Sequence, residues 1–151
     1  MAKVLSINIS EKKGIAKTPI PEGEFKEDYG LVGDAHAGGG IRQVSLLAVE
    51  SRRKIENHPK IKLCLKNGDF GENITTEGII LHTLPIGTRL KIGEVVLEVS
   101  KIGKECHAPC AIKKKVGICV MPNEGIFAVV RKGGRIRVGD SIEIIEEVAD
   151  E

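Results

Sequence analysis

The spread of glycine constrains this chain more than any other feature. Glycine fills 18 of 151 positions, against about 7% in an average protein. The glycines fall between short runs of alternating Val, Ile and Leu. Glycine reaches the backbone angles of tight turns at no steric cost, so the pattern predicts many short strands joined by turns. In Val4–Ile9 the alternation puts Leu5, Ile7 and Ile9 on one face and Ser6 and Asn8 on the other, as in a half-buried strand. Gln43 to Leu47 reads as a second strand. Thr88 to Ile92 and Val95 to Ser100 flank Gly93-Glu94, a hairpin turn. Ile126 to Val130, Arg135 to Val138 and Ser141 to Ile145 follow, with turns at Lys132-Gly133-Gly134 and Gly139-Asp140. One helix is expected from Val49 to Asn57, with Arg52, Arg53 and Glu56 on its charged face and Pro59 beyond its end.

Residues 11–40 hold Pro19, Pro21, Gly23, Gly30, Gly33 and the run Gly38-Gly39-Gly40, and read as a long irregular stretch, functional or mobile. Arg89-Leu90-Lys91-Ile92-Gly93-Glu94 is echoed by Arg135-Ile136-Arg137-Val138-Gly139-Asp140. The echo is either a pair of hairpins facing each other across a pseudo-symmetric barrel or ordinary hairpin grammar. The length suits one domain spanning 1–151. The expected fold is mainly β, a β-barrel with one or two short helices, since closure removes exposed strand edges.

Charge and composition exclude several functions. Lys plus Arg is 23 and Asp plus Glu is 21, a net charge of only +2, which argues against nucleic acid as a partner. One Tyr, three Phe and no Trp leave little on which bases would stack. No apolar run approaches the roughly 20 residues needed to span a bilayer. The start, Met1-Ala2-Lys3-Val4, has neither signal-peptide nor lipidation character, so the expected location is cytoplasmic and no membrane partner is expected. In that reducing compartment the four cysteines are thiols or buried small residues rather than a disulfide framework.

Chemistry concentrates in Gly103-Lys104-Glu105-Cys106-His107-Ala108-Pro109-Cys110. A thiolate is a strong nucleophile and a soft metal ligand, and Lys104 and His107 favour it electrostatically. The Cys-x3-Cys spacing differs from the Cys-x2-Cys of zinc knuckles. Cys64 and Cys119 sit among apolar neighbours and read as buried small residues. A second segment, Gly33-Asp34-Ala35-His36-Ala37-Gly38-Gly39-Gly40-Ile41-Arg42-Gln43, offers backbone N–H groups and a cation to an anion; a flexible loop fixed by Asp34 and Arg42 explains it equally. A third, Gly68-Asp69-Phe70-Gly71-Glu72-Asn73-Ile74-Thr75-Thr76-Glu77-Gly78, reads from its residues as a turn whose side chains satisfy backbone groups. His58 and His82 are isolated, and Lys113-Lys114-Lys115 reads as a solvated face.

Together these segments resemble the MOSC family, the domain first described at the C-terminus of molybdenum cofactor sulfurases. The likeness rests on Gly33-Asp34-Ala35-His36 with Arg42-Gln43-Val44-Ser45, on Phe70 through Gly78, and on Ile86-Gly87-Thr88 through Glu98-Val99-Ser100. It implies a β-barrel-like fold and a molybdenum-pterin or sulfur-carrier site. It further implies a cysteine just beyond the strand that binds molybdenum or carries a persulfide. Counting on from Val99-Ser100 gives Cys106, and a small insertion would exchange it for Cys110, so both stand as metal ligands and, with His107, as catalytic residues. The cofactor-binding candidates are His36, Gly38, Gly39, Arg42, Glu72, Asn73 and Lys104. The chain resembles the short stand-alone prokaryotic form, without a pyridoxal-phosphate domain, an N-terminal MOSC-associated domain or a ferredoxin-like tail. As an enzyme it would be a sulfur transferase or a molybdenum-dependent reductase component fed by an external electron donor. Its partners would then be a cysteine desulfurase or a molybdoenzyme. The alternatives are a non-catalytic cofactor-delivery module and a small zinc-binding structural protein built on Cys106, His107, Cys110 and Cys119.

Overall fold

The computed structural model describes residues 2–12, 15–38, 40–61, 65–103 and 124–146. Eleven strands and one short helix occupy them: β1 (Lys3–Ile9), β2 (Thr18–Ile20), β3 (Glu22–Lys26), β4 (Gly30–Leu31), β5 (Val44–Ala48), α1 (Val49–Arg53), β6 (Ile74–Glu77), β7 (Arg89–Ile92), β8 (Val95–Ile102), β9 (Ile126–Lys132), β10 (Gly134–Arg137) and β11 (Ile142–Glu146). The fold is mainly β, as the glycine pattern predicts. No helix among the described residues is long and apolar enough to cross a membrane.

One sheet has eight strands in the order β11-β7-β8-β9-β5-β6-β1-β2, and a second has three in the order β10-β3-β4. All strand pairs are antiparallel except β5 with β6. Both sheets bury apolar side chains in one cluster. Phe25, Leu31 and Ile136 come from the small sheet, and Ile7, Leu46, Ile74, Leu90, Leu97 and Ala128 from the large one. At Gly23 of the small sheet a Cβ would lie 2.6 Å from the neighbouring Leu31 side chain and 3.4 Å from Ile7 of the large sheet. Burying these groups at about 25 cal/mol per Å² of apolar surface is what holds the two sheets together.

The closed barrel expected from sequence needs correction, because the described strands do not close into one. The large sheet curls until its β1 side meets the turn before β11. Among the described residues, one bridge, Lys3 to Ser141, and three backbone bonds join them there: Val4 N–H to Asp140 O (2.9 Å), Gly139 N–H to Val4 O (2.8 Å) and Ile142 N–H to Ala2 O (2.9 Å). No full ladder forms because β2 takes up the other edge of β1 near Ile7 to Ile9.

Three further differences have plain causes. The stretch 11–40 contains β2, β3 and β4; Pro19 is tolerated because β2 is an edge strand, where a missing N–H costs no ladder bond. The helix ends at Arg53, well short of Asn57: after Lys54 N–H bonds Glu50 O, the Ile55 N–H bonds Arg52 O, an i to i−3 turn that leaves the α-helical ladder. The echoed segments are not twin hairpins. β7 and β8 pair with each other, whereas β10 pairs with β3 and β11 with β7.

Candidate functional site

The expectation that Ser6 and Asn8 face solvent also fails, and the failure reveals the site. Ile7, Leu46 and Ile74 point into the core, so by alternation Ser6, Asn8, Ser45, Leu47 and Thr75 lie on the opposite face of β1, β5 and β6. That face is buried as well: Ser6, Asn8, Ser45 and Thr75 are all at most 4% exposed. Residues 68–73 cover it. Gly68 has φ of +90°, and a Cβ there would collide with the Lys17 carbonyl, so only glycine lets the covering loop approach.

A buried face of this kind must satisfy its own polar groups, and Asn73 is its hub. Its Oδ1 accepts the Ser45 N–H (2.9 Å) and its Nδ2 donates to the Asn8 carbonyl (3.2 Å). The Asn8 amide donates to the Glu72 carbonyl and to Thr75 Oγ1, both at 3.1 Å. Ser6 Oγ donates to Asn8 Oδ1 (2.6 Å). Glu72 is fully buried; its Oε2 accepts the Thr75 hydroxyl (2.8 Å), while its Oε1 has no partner among the described residues. Burial pushes the Glu72 carboxyl above its ordinary range, and the Thr75 bond and the Arg52 charge only partly oppose this. Glu72 and Asn73 thus lie beneath the surface, in the scaffold of the site.

Asp34 is equally buried but differently supplied. Its Oδ1 accepts Lys17 Nζ (2.8 Å) and the Ser10 N–H (3.0 Å), and its Oδ2 accepts the His36 N–H (2.9 Å). Lys17 Nζ also donates to Ser10 Oγ (2.8 Å). Burial alone would raise the Asp34 carboxyl. Contacts from His36, Lys17, Asn73 and Ser10 outweigh it and hold the group well below the usual carboxylate range. Asn73 therefore acts on Asp34 as well as on Ser45, and the second and third sequence segments meet here.

His36 and Arg42 rise from this base to a shared aromatic wall. His36 Nδ1 is buried 3.5 Å from Asp34 Oδ2, at the edge of hydrogen-bonding range, and its side chain is 12% exposed. Its ring lies 6.3 Å from that of Phe127, tilted by 53°. The Arg42 guanidinium carbon sits 5.6 Å from the same ring centre, a cation–π distance. Gln43, fully buried, fastens the loop to β9: its Nε2 donates to Asp28 Oδ1 (2.9 Å) and Gly40 O (3.0 Å), and its Oε1 accepts the Val130 N–H (3.0 Å). Gly38 and Gly40 have φ of +143° and +103° with open space where a Cβ would stand. The Gly38 N–H, expected to be free for an anion, instead donates to the Tyr29 carbonyl (2.7 Å).

This wall adjoins the root of the cysteine segment. Lys101 of β8 pairs with Phe127 of β9, Ser100 Oγ donates to the Ile41 carbonyl, and Gly103 N–H donates to Gly125 O (2.7 Å). In the sequence, Cys106 follows Gly103 by three residues. Gly39, Cys64, Lys104, Cys106, His107, Cys110, Lys113, Lys114, Lys115 and Cys119 lie outside the described residues. No group of three or more metal-ligating side chains occurs among the described residues. Phe127 escaped the sequence reading, as did Lys17. His82 is less isolated than expected, with Nδ1 3.6 Å from Glu124 Oε1, which also accepts Ser51 Oγ (2.6 Å) and Lys54 Nζ (2.9 Å).

Comparison with known proteins agrees with this geometry. No curated protein shows a significant match. Among solved structures, the YuaD protein from Bacillus subtilis superposes with a TM-score of 0.76 at 20% identity, covering 93% of each chain. YiiM from Geobacillus stearothermophilus gives 0.74 at 20% identity, over 97% of this chain and 76% of that one. YiiM from Escherichia coli gives 0.66 at 18%, over 98% and 72%. At these identities the likeness is one of fold. Residues 33–143 match the MOSC domain, a stretch that opens at the glycine before Asp34, holds both motif blocks that meet at Asn73, and makes this chain a member of the MOSC domain family.

Proposed function

We propose that the protein handles the molybdenum cofactor. It would bind the molybdenum-pterin group, carry sulfur for it as a cysteine persulfide, or do both, with Cys106 or Cys110 as the thiol. The observation that supports this reading is the meeting of Asp34, His36 and Arg42 on Phe127, beside the strand end from which the cysteine segment departs. MOSC proteins as a family are associated with the molybdenum cofactor.

The described residues suit such a group. A pterin bearing a phosphate asks for a cation, hydrogen-bonding groups and an apolar wall. Arg42 offers the cation, the buried Phe127 ring an apolar support beneath it, and His36 a buried Nδ1 with no hydrogen bond among the described residues. Gly38 and Gly40 leave open space at the loop. Bound there, the cofactor would supply redox or sulfur-exchange chemistry at a soft metal. Asp34 holds the His36 backbone and faces its ring, so His36 would serve as a fixed hydrogen-bond partner or proton donor. Lys104 and His107 would act on the thiol. As a sulfur carrier, the cysteine thiolate attacks the outer sulfur of a partner's persulfide. One S–S bond forms as the partner's S–S bond breaks, and the partner's thiolate leaves, with no net oxidation.

Incubation of the purified protein with molybdenum cofactor tests the reading. The expected result is bound molybdenum in the wild type and its loss in Cys106→Ser or Cys110→Ser. Equal molybdenum in all three proteins removes the site assignment. Cyanolysis after exposure to a cysteine desulfurase separates the carrier role: sulfane sulfur without retained molybdenum favours a carrier alone. Stoichiometric zinc, with unfolding on chelation, would replace both by a structural zinc protein.

A further inference from the structure

A second cleft opens away from the Phe127 wall. It has a volume of about 630 Å³ and is bounded by the entry to β2, by α1 and by residues 66–69, a size typical of small-molecule sites. Its cations are prepared unequally. Lys17 is already matched by Asp34 and Ser10. Arg52 is held in place by Nη1 donating to Asn67 Oδ1 (2.7 Å), yet its Nε is buried with no hydrogen-bond partner among the described residues. Glu56 forms an i,i+4 ion pair with that Nε at 3.6 Å, too long for a hydrogen bond. Lys66 is exposed, and its ammonium makes no ion pair among the described residues. A phosphate seated beside Arg52 and Lys66 would gain charge-assisted hydrogen bonds from the guanidinium and the ammonium.

We propose that this cleft binds a phosphomonoester of about mononucleotide size, held at its phosphate by Arg52 and Lys66. Asp69 narrows the class. Its buried carboxylate, already accepting the Lys66 N–H (2.7 Å), repels a second anionic group and accepts O–H or N–H donors. The ligand therefore carries one phosphate on a donor-bearing body rather than a polyphosphate chain. The cleft uses none of His36, Arg42 and Phe127, so the inference stands or falls independently of the molybdenum reading.

Calorimetric titration of the full chain with AMP and with ribose 5-phosphate tests it, with adenosine and ATP as comparators and amide NMR to locate the response. The expected result is saturable binding of at least one of the two monophosphates, with shifts at residues 16–19 and 66–69. Adenosine should bind more weakly and ATP no more tightly. Arg52→Gln and Lys66→Gln should each weaken binding about tenfold, the loss of one charge-assisted hydrogen bond. Arg137→Gln, on the far sheet, should change nothing. Lys66 is exposed, so that variant remains informative even if Arg52→Gln fails to fold. The proposal is overturned if neither monophosphate saturates, if Lys66→Gln binds as the wild type does, or if ATP binds more tightly than AMP.

Discussion

Two polar regions of this molecule are built from the same chemical groups and answer to opposite rules. On the open rim, Glu22 accepts Arg135 (3.1 Å) and Arg137 (3.0 Å), and Glu98 accepts Arg89 (3.1 Å) and Arg131 (2.8 Å). Both carboxyls are drawn below their ordinary range, Glu22 chiefly by the Arg137 bond and Glu98 chiefly by the Arg131 bond. Water solvates every partner there, so breaking a pair costs little. Beneath residues 68–73, water is excluded. An unmade bond there costs the full desolvation of the group left behind. Geometry that looks equally good in the two regions therefore has unequal worth.

That contrast can be broken by substitution. The largest effect belongs to Asp34→Ala, which takes the carboxylate from the Lys17 ammonium, a side chain 1% exposed; removing one partner of such a pair costs about 3–5 kcal/mol. A shift in urea midpoint equivalent to less than about 1 kcal/mol, the range of a surface pair, would erase the distinction. Asn73→Ala comes next. It leaves the Ser45 N–H and the Asn8 carbonyl unpaired in the interior, for a loss of about 2–3 kcal/mol by the same measurement.

Acid and base titrations sharpen the comparison inside the buried region. The Asp34 carboxyl is depressed in the folded state. Its stabilisation is complete above the ordinary aspartate value of 3.8 and is lost as the pH falls from there toward the folded value. The Glu72 carboxyl is raised. Its favourable contribution is complete below the ordinary 4.5 and is lost as the pH rises through the folded value. Glu72→Gln should therefore gain stability relative to the wild type as the pH rises above the ordinary 4.5, and pH–stability curves that stay parallel through that rise would refute the assignment. The smallest effect is reserved for the rim: Glu22→Gln should leave the urea midpoint unchanged within error, and only added salt should reveal its pairs in the wild type.

Much of this architecture is legible in the chain. The hairpin of β7 and β8 follows from alternation on either side of Gly93-Glu94, because a tight turn and a period of two specify register locally. The motif around Asn73 and the one around Asp34 are visible as unusual polar runs. What was not legible is that they touch. Ser6 and Asn8 look like a solvent face because alternation reports only that two faces differ, and gives no sign that a distant loop will cover the second one. Phe127 hides for the same reason: within Ile126 to Val130 it is one more apolar strand residue, and only its pairing with Lys101 and its contacts to His36 and Arg42 mark it out. Lys17, in a stretch dominated by turn residues, carries no local signal that its ammonium will be buried against Asp34.

The neck between Gly103 and Gly125 has a consequence for how such a chain can change. β8 and β9 are adjacent antiparallel strands whose ladder is complete on the near side of that one bond. Whatever joins them is a cassette mounted on a finished hairpin. Because closure entropy grows only slowly with the number of residues enclosed, cassettes of different length and reactivity can be exchanged at this mount while the sheets below keep their register.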